Sequence, residues 1–476
     1  MSNAKTIAKN TTFLFLSQTS DKILSFFLIV LITRHLGDLG FGIYSFAFAF
    51  ISLFVAISNL GMNLYIFREI SKVKDKAKNL LDNFISIRLT TILVLYTILG
   101  IASWYMPKTK EIMLTIFLVM LHELFAALNS LINIVMQSHE RNEYTLYTTL
   151  IDKGLALVIG GTVLFMGYSI NALILSLVVA KIFSFTYYYY ICRSRFLRIS
   201  FGKDFAQWKG LLRNSLPFGM TMIFGMIYYR VDKIMLTMMD SYQATGLYSA
   251  GSKLIDALAF IPTVIVLATF PAMSSFHHNQ SKDKSQLLYN KSMYYLFIIA
   301  LPLTIGISML SESITLLVYK KEFIQSALVL QILSWSLIFI FANYCMGYLL
   351  NSINKQHLFT VSTGICATAN IILNYIFILD YSYIGATVAT LVTQVANSVM
   401  LFYFCAREGF AINVFNLVYK PAVAGAFMAI LIYYARDYNL LLLAPLAAIL
   451  YFGVLLLLKG LGKEEINLIK SVFSKT

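Results

Sequence analysis

From Thr11 to Lys459 the chain is a succession of apolar stretches, each about 20 residues long or slightly longer, separated by short turns. A helix needs roughly 20 mostly apolar residues to cross the hydrocarbon core of a bilayer. There every backbone N–H and C=O must be bonded within the segment or a closed barrel, so stretches of this length fold as helices. Fourteen stretches qualify: 11–33, 41–67, 81–105, 112–137, 146–166, 170–192, 214–239, 246–273, 291–318, 323–352, 357–379, 382–406, 416–436 and 440–459. Segments such as Leu36-Gly37-Asp38-Leu39-Gly40 and Tyr105-Met106-Pro107 mark the turns between them. The expected fold is an all-α integral membrane protein of about fourteen transmembrane helices.

Composition narrows the function classes. Only 12% of the 476 residues are charged and 59% are hydrophobic, with a mean hydropathy of +0.75. A soluble domain carries about 25% charged residues, so a soluble enzyme, a disordered chain and a fibrous protein are all excluded. No loop between the spans is long enough for a soluble catalytic domain. That disfavours a membrane polysaccharide polymerase or ligase, and the chain is expected not to be an enzyme. Cys192, Cys345, Cys366 and Cys405 are far apart within apolar segments, with neither zinc nor redox spacing, so no metal site is expected. The first apolar stretch contains Gln18, Asp21 and Lys22 and lacks a small-residue cleavage site. It reads as a retained helix rather than a removable signal.

The formal net charge of +15 is explained by topology without nucleic acid. Of the 37 Lys and Arg residues, 24 lie in the alternate loops that include the N-terminus and six in the opposite loops. By the positive-inside rule both termini are cytoplasmic. The expectation is a multi-pass protein of the cytoplasmic membrane, some of whose loop cations touch anionic lipid heads.

An internal repeat is legible at an offset of 214 residues. Asn129 falls on Asn343, Ser138 on Ser352, Ile170 on Ile384 and Ala172 on Ala386. The polar turn Gln137-Ser138-His139-Glu140-Arg141-Asn142 falls on Asn351-Ser352-Ile353-Asn354-Lys355-Gln356, and Gly42-Ile43-Tyr44-Ser45 has a counterpart in Gly246-Leu247-Tyr248-Ser249. Two six-helix lobes follow, 1–192 and 214–406, joined by a basic cytoplasmic linker, 193–213. Residues 407–476 supply two further helices and a cytoplasmic tail. Same-orientation repeats flanking a central cavity suit an alternating-access transporter.

Seven basic residues remain within the spans: Lys22, Arg88, Lys153, Lys181, Arg230, Lys233 and Lys253. Five acidic residues share their depth: Asp21, Glu123, Asp152, Asp232 and Asp256. Insertion scales put a central charge at about 2.5–3.5 kcal/mol, so these groups need water or partners. Helical spacing gathers polar residues on single faces, as in Gln18, Asp21, Lys22 and Ser25, or Thr148, Thr149, Asp152 and Lys153. Later helices carry uncharged stripes, Asn370 and Asn374 in one and Gln394 and Asn397 in the next, while the fourth shows His122, Asn129 and Asn133. Neutralisation between helices is one reading, although adjacent Asp and Lys point about 100° apart and cannot pair along one face. The other is a net basic cavity for a phosphorylated substrate, in which Arg230 offers a bidentate fork and the lysines point charges. The amide and hydroxyl stripes suit sugar hydroxyls. The run Tyr187 to Tyr190 reads as an interfacial anchor.

The segments Arg34-His35-Leu36-Gly37, Gly40-Phe41-Gly42-Ile43-Tyr44-Ser45, Asn59-Leu60-Gly61 and Arg68-Glu69-Ile70 resemble the Wzx-type polysaccharide flippases. So do Leu216-Pro217-Phe218-Gly219, Arg230-Val231-Asp232-Lys233-Ile234-Met235-Leu236, Gly246-Leu247-Tyr248-Ser249 and Pro271-Ala272-Met273-Ser274. These flippases are the polysaccharide-transport branch of the multidrug/oligosaccharidyl-lipid/polysaccharide exporter superfamily. The resemblance runs over nearly the whole chain. It implies twelve core helices in two lobes, two appended helices, and transfer of a polyprenyl-phosphate- or polyprenyl-pyrophosphate-linked oligosaccharide to the outer leaflet. It implies a cationic substrate site at Lys22, Lys153, Arg230, Lys233 and Lys253; Arg88, Lys181, His122, Asn129, Asn370 and Gln394 are further candidates from their place within the spans. It also implies coupling to protons or sodium through one of Asp21, Glu123, Asp152, Asp232 and Asp256, with no cofactor. The implied partners are the lipid-linked oligosaccharide, membrane lipids and polysaccharide-assembly enzymes. A multidrug cation exporter of the same fold would be expected to carry an acidic or aromatic cavity. A peptidoglycan lipid flippase is chemically close.

Overall fold

The computed structural model describes residues 2–72, 77–104, 109–196, 200–202, 204–278, 281–436 and 438–460. Parts of the linker, 197–199 and 203, and the tail 461–476 lie outside the described residues. Among the described residues the structure is helical, with no strand. Two compact units divide the chain, Met1–Ser249 and Ala250–Thr476.

The first unit holds α1 (Ser2–Asn59), α2 (Met62–Lys72), α3 (Ala77–Trp104), α4 (Lys110–Ser138), α5 (Asn142–Phe165), α6 (Ile170–Arg195), α7 (Phe205–Met239) and the start of α8 (Tyr242–Leu258). The second holds the rest of α8, then α9 (Ile261–His278), α10 (Lys282–Met309), α11 (Ser311–Val318), a 3-10 turn (Lys321–Phe323), α12 (Ser326–Ser334), α13 (Ser336–Ser352), α14 (Gln356–Arg407), α15 (Val414–Ala435) and α16 (Leu440–Leu457).

Fourteen crossings are recovered once the long helices are divided. Helix α1 has 58 residues, about 87 Å at 1.5 Å per residue, far longer than one crossing of a 30 Å core. It breaks at Gly37, where φ is 66° and ψ is −172°. The 52-residue α14 breaks in the same way at Ser382, with φ 52° and ψ −133°. The pair α12 and α13 bends by 43° and makes one broken crossing. Three expected spans differ in detail. The stretch 41–67 is interrupted by Leu60 and Gly61, both at positive φ, a conformation that ends a helix. The stretch 246–273 is split before Pro262, which sits in the first turn of α9, where its missing N–H costs nothing. The helix expected at 291–318 starts at Lys282 and stops at Met309, and the short α11 follows.

The repeat is present at atomic detail. Glu140 and Asn354, 214 residues apart, both take positive φ, 57° and 60°. The amide of Arg141 reaches back to the Met136 carbonyl at 2.9 Å, as Lys355 does to Leu350 at 2.8 Å. Ser138 donates to the Val135 carbonyl, and Ser352 to that of Leu349. Asn129 donates to Ser184 at 2.9 Å, and Ser398 donates to Asn343 at 2.7 Å. The offset thus relates the partners as well as the residues.

Lipid is as apolar as leucine, so helices in a membrane are held by close packing and hydrogen bonds rather than by the hydrophobic effect. The appended α15 and α16 pack on α10 through Ala424, Met428, Ala447 and Leu455. The Tyr451 hydroxyl caps this contact by donating to the Ile298 carbonyl at 2.9 Å. All four cysteines are buried and free.

Candidate functional site

In the first unit two apolar clusters enclose a polar layer. On α4, Ile116, Val119 and Met120 belong to one cluster, and Leu131, Ile132 and Val135 to the other. His122, Glu123 and Asn129 lie between them. The pattern repeats on α6, where Ile174 and Tyr188 belong to the two clusters and Lys181 and Ser184 lie between. It repeats on α3, with Arg88 between Ile87 and Leu99, and on α7, with Arg230 between Leu211 and Ile234. The charges of these helices therefore lie in a polar layer between the two apolar clusters.

Most charges in this layer are already paired. Lys181 Nζ lies 2.5 Å from Asp152 Oδ2, and Lys153 Nζ lies 3.3 Å from Asp21 Oδ1. Because Asp152 and Lys153 point about 100° apart on α5, each takes a partner from a different helix, α6 for one and α1 for the other. The Glu123 carboxylate is paired with Nδ1 of its neighbour His122 at 3.1 Å. Asp232 is buried and accepts from the Tyr248 hydroxyl and, at 2.8 Å, from the Lys233 amide. Lys233 is buried beside it and engaged with its surroundings. Lys253 and Asp256 are half-buried on α8 and likewise engaged.

Three cations stand apart. Among the described residues no ion pair forms at Lys22, which is exposed, or at the half-buried Arg230. Arg88 is only 2% exposed, and its Nε and Nη1 have no hydrogen-bond partner. Arg88 shares its helical face with Leu81, Ile85 and Ile92, and all three are buried with it.

Beside the Asp152–Lys181 pair lies a polar cavity of about 220 Å³ lined by Asn129, Asn133, Thr145, Thr148 and Tyr188 among others. Asn133 accepts from the Tyr188 hydroxyl at 2.9 Å and from Thr145 at 2.8 Å, and Ser17 of α1 bonds Thr149 at 2.8 Å. The tyrosine run thus divides: Tyr188 is 2% exposed and serves this cavity, whereas Tyr190 is 68% exposed. Four consecutive residues point to every side of a helix, so one ring had to turn inward, and that geometry was the available signal.

The second unit holds an uncharged counterpart. Asn343 donates to Gln394 at 3.3 Å, Ser362 to Asn397 at 2.5 Å, Asn370 to Thr393 at 3.3 Å and Asn374 to Asn370 at 2.9 Å. Asn370 and Gln394 are buried and hold α13 and the two arms of α14 together. A separate apolar groove of about 610 Å³ runs between α10, α15 and α16, lined by Pro302, Gly306, Met428, Leu441, Pro445 and Phe452 among others. No group of three or more His, Cys, Asp or Glu among the described residues has metal-site geometry.

Comparison with known proteins agrees with this architecture. The sequence model of the polysaccharide biosynthesis protein family matches residues 7–277, and that of the lipid II flippase MurJ matches residues 252–452. The capsular polysaccharide biosynthesis protein CapF of Staphylococcus aureus is 20% identical over 406 residues, 84% of this chain and all of that protein. The probable low-salt glycan biosynthesis flippase Agl15 of Haloferax volcanii is 24% identical over 176 residues, 37% of each chain. A solved structure of the lipid II flippase MurJ in an inward closed conformation superposes with a TM-score of 0.76 at 16% identity, covering 94% of this chain and 97% of that one. An inward-facing multidrug transporter shares the fold at a TM-score of 0.68, covering 82% of this chain and 94% of that one.

Proposed function

Because the chain belongs to the polysaccharide biosynthesis protein family, we propose that it is a flippase moving a lipid-linked oligosaccharide from the cytoplasmic to the outer leaflet by alternating access. The capsular polysaccharide biosynthesis protein CapF, the probable glycan flippase Agl15 and the fold of the lipid II flippase MurJ support this reading from outside the chain. Within it, the carrying observation is the separation of the intramembrane cations into two sets. Lys153 and Lys181 are neutralised by Asp21 and Asp152, whereas no ion pair forms at Lys22, Arg88 or Arg230 among the described residues. An uncompensated guanidinium at membrane depth is costly, and a substrate phosphate bonded by its planar fork offsets that cost. Arg230 and Lys22 therefore hold the phosphate or pyrophosphate. The neighbouring amides and hydroxyls serve the sugar.

The apolar groove of α10, α15 and α16 suits the polyprenyl chain, because its lining offers methyl and methylene groups almost throughout. The net basic character argues against export of cationic drugs, although that fold is shared. In this reading the protein is a non-enzymatic carrier of the cytoplasmic membrane, with both termini cytoplasmic, and works beside polysaccharide-assembly enzymes. Coupling falls to Glu123, since its carboxylate meets Nδ1 of His122, a side chain able to take up and release a proton.

The test uses purified protein in proteoliposomes with a labelled polyprenyl-pyrophosphate oligosaccharide. Protein-dependent arrival of label in the opposite leaflet is expected, with no movement of a label on a zwitterionic phospholipid. Equal movement of both lipids would mean scrambling and would reject the reading.

A further inference from the structure

Four of the segments that carry the family resemblance meet one another in pairs inside the first unit. At the first meeting a β-carbon on Gly42 would fall 1.7 Å from the Tyr242 carbonyl oxygen, and one on Gly246 would fall 2.0 Å from that of Asp38. Here Gly42-Ile43-Tyr44-Ser45 touches its own repeat counterpart, Gly246-Leu247-Tyr248-Ser249. Gln243 donates to Asp38 at 2.6 Å, and the Phe46 and Tyr242 rings meet edge-on at 5.7 Å.

At the second meeting a β-carbon on Gly61 would fall 2.3 Å from the Gly219 amide nitrogen, and one on Gly219 would fall 2.5 Å from the Leu60 carbonyl carbon. Asn59 donates to the Met222 sulfur at 3.8 Å, and Asn214 to the Tyr65 hydroxyl at 3.3 Å.

The two meetings join the same pair of structural arms, the second arm of α1 with α2 and α7 with the start of α8. They lie at opposite faces of the membrane: Gly42 to Asn59 rises about 26 Å at 1.5 Å per residue, nearly the thickness of the hydrocarbon core. Arg230 lies on α7 between them.

We propose that these two glycine contacts are the closures of the transport path, one at each membrane face, both shut in this structure. By the loop-charge orientation, Gly42 with Gly246 is the outer closure and Gly61 with Gly219 the inner one. Backbone meets backbone at the glycines, so only the flanking side-chain contacts, such as Gln243 with Asp38 and Asn59 with Met222, have to be released before the arms part. Cα–H contacts to carbonyls are individually weak, so a closure of this kind can open and shut between two populated states. Any side chain at these positions acts as a wedge and holds its end open.

This assignment rests on the transporter reading, but its test needs no substrate. A single cysteine at Met226 on α7 is introduced into a cysteine-free background and probed with an impermeant maleimide added to either face of sealed vesicles. Gly246→Leu should raise labelling from outside several-fold and lower it from inside, and Gly219→Leu should do the reverse. A disulfide between Asp38→Cys and Gln243→Cys should suppress outside labelling alone. This cross-link adds no bulk, so it decides the matter if a leucine variant does not fold. Unchanged labelling in these variants, or the same change from both faces, would overturn the assignment. Flipping activity measured separately leaves the two outcomes distinguishable.

Discussion

The polar layers of the two units are built on the same frame with opposite chemistry. Asn129 with Ser184 in the first unit and Asn343 with Ser398 in the second are hydrogen-bonded pairs at the same spacing. At the offset that relates them, Asp152 and Lys181 fall on Cys366 and Val395, Glu123 on Leu337 and Lys153 on Ala367. The second unit folds its version of the layer without those charges. The architecture therefore does not require them, and their concentration in the first unit has to be explained by what that unit handles.

The largest effect should come from breaking one ion pair. Lys181→Val leaves Asp152 buried without its partner and should cost about 3–5 kcal/mol, read as a fall in thermal unfolding temperature in detergent. Adding Asp152→Cys, which copies the second unit, should recover most of that loss. If the double variant is as unstable as the single one, the two units are not interchangeable in packing.

Arg230→Ala sharpens the comparison from the other side. It should leave stability within about 0.5 kcal/mol of wild type. It should also slow flipping about 10- to 100-fold, the loss of a charge-assisted hydrogen bond worth about 1.5–3 kcal/mol. The break points of α1 and α14 give a third contrast. Gly37 adopts its positive φ without strain, whereas Ser382 holds a region suited to glycine, so Ser382→Gly should stabilise by about 1–3 kcal/mol. Chemical denaturation or thermal shift would show it. The smallest effects should be equal: Ser184→Ala and Ser398→Ala should each cost about 0.5–1.5 kcal/mol in stability. Unequal losses would mean that the shared frame is not mechanically the same in both units.

Much of this layout is readable from residues alone, for physical reasons. Apolar stretches long enough to cross a bilayer can only be helices, so fourteen crossings follow from length and hydropathy, and a fixed offset relates Asn129 to Asn343. The Asp152-Lys153 dipeptide says that the two side chains cannot pair with each other. It does not say that Lys181 and Asp21 take them, because partner choice depends on which helices pack together. The interruption at Leu60 and Gly61 is equally hidden within a continuous apolar run. It becomes intelligible only when the Gly219 backbone is found against it. The burial of Asn370 and Gln394 in hydrogen bonds between helices is a tertiary fact too, since a polar stripe on a helix is the same pattern whether it faces a substrate or another amide.

The most direct test of the account compares two variants in the same leaflet-transfer assay: Arg230→Ala, and Asp152→Cys with Lys181→Val. The account predicts that Arg230→Ala loses most lipid-linked oligosaccharide transfer while remaining folded, and that the double variant keeps a substantial part of it. Wild-type transfer by Arg230→Ala would contradict the claim that Arg230 holds the substrate phosphate.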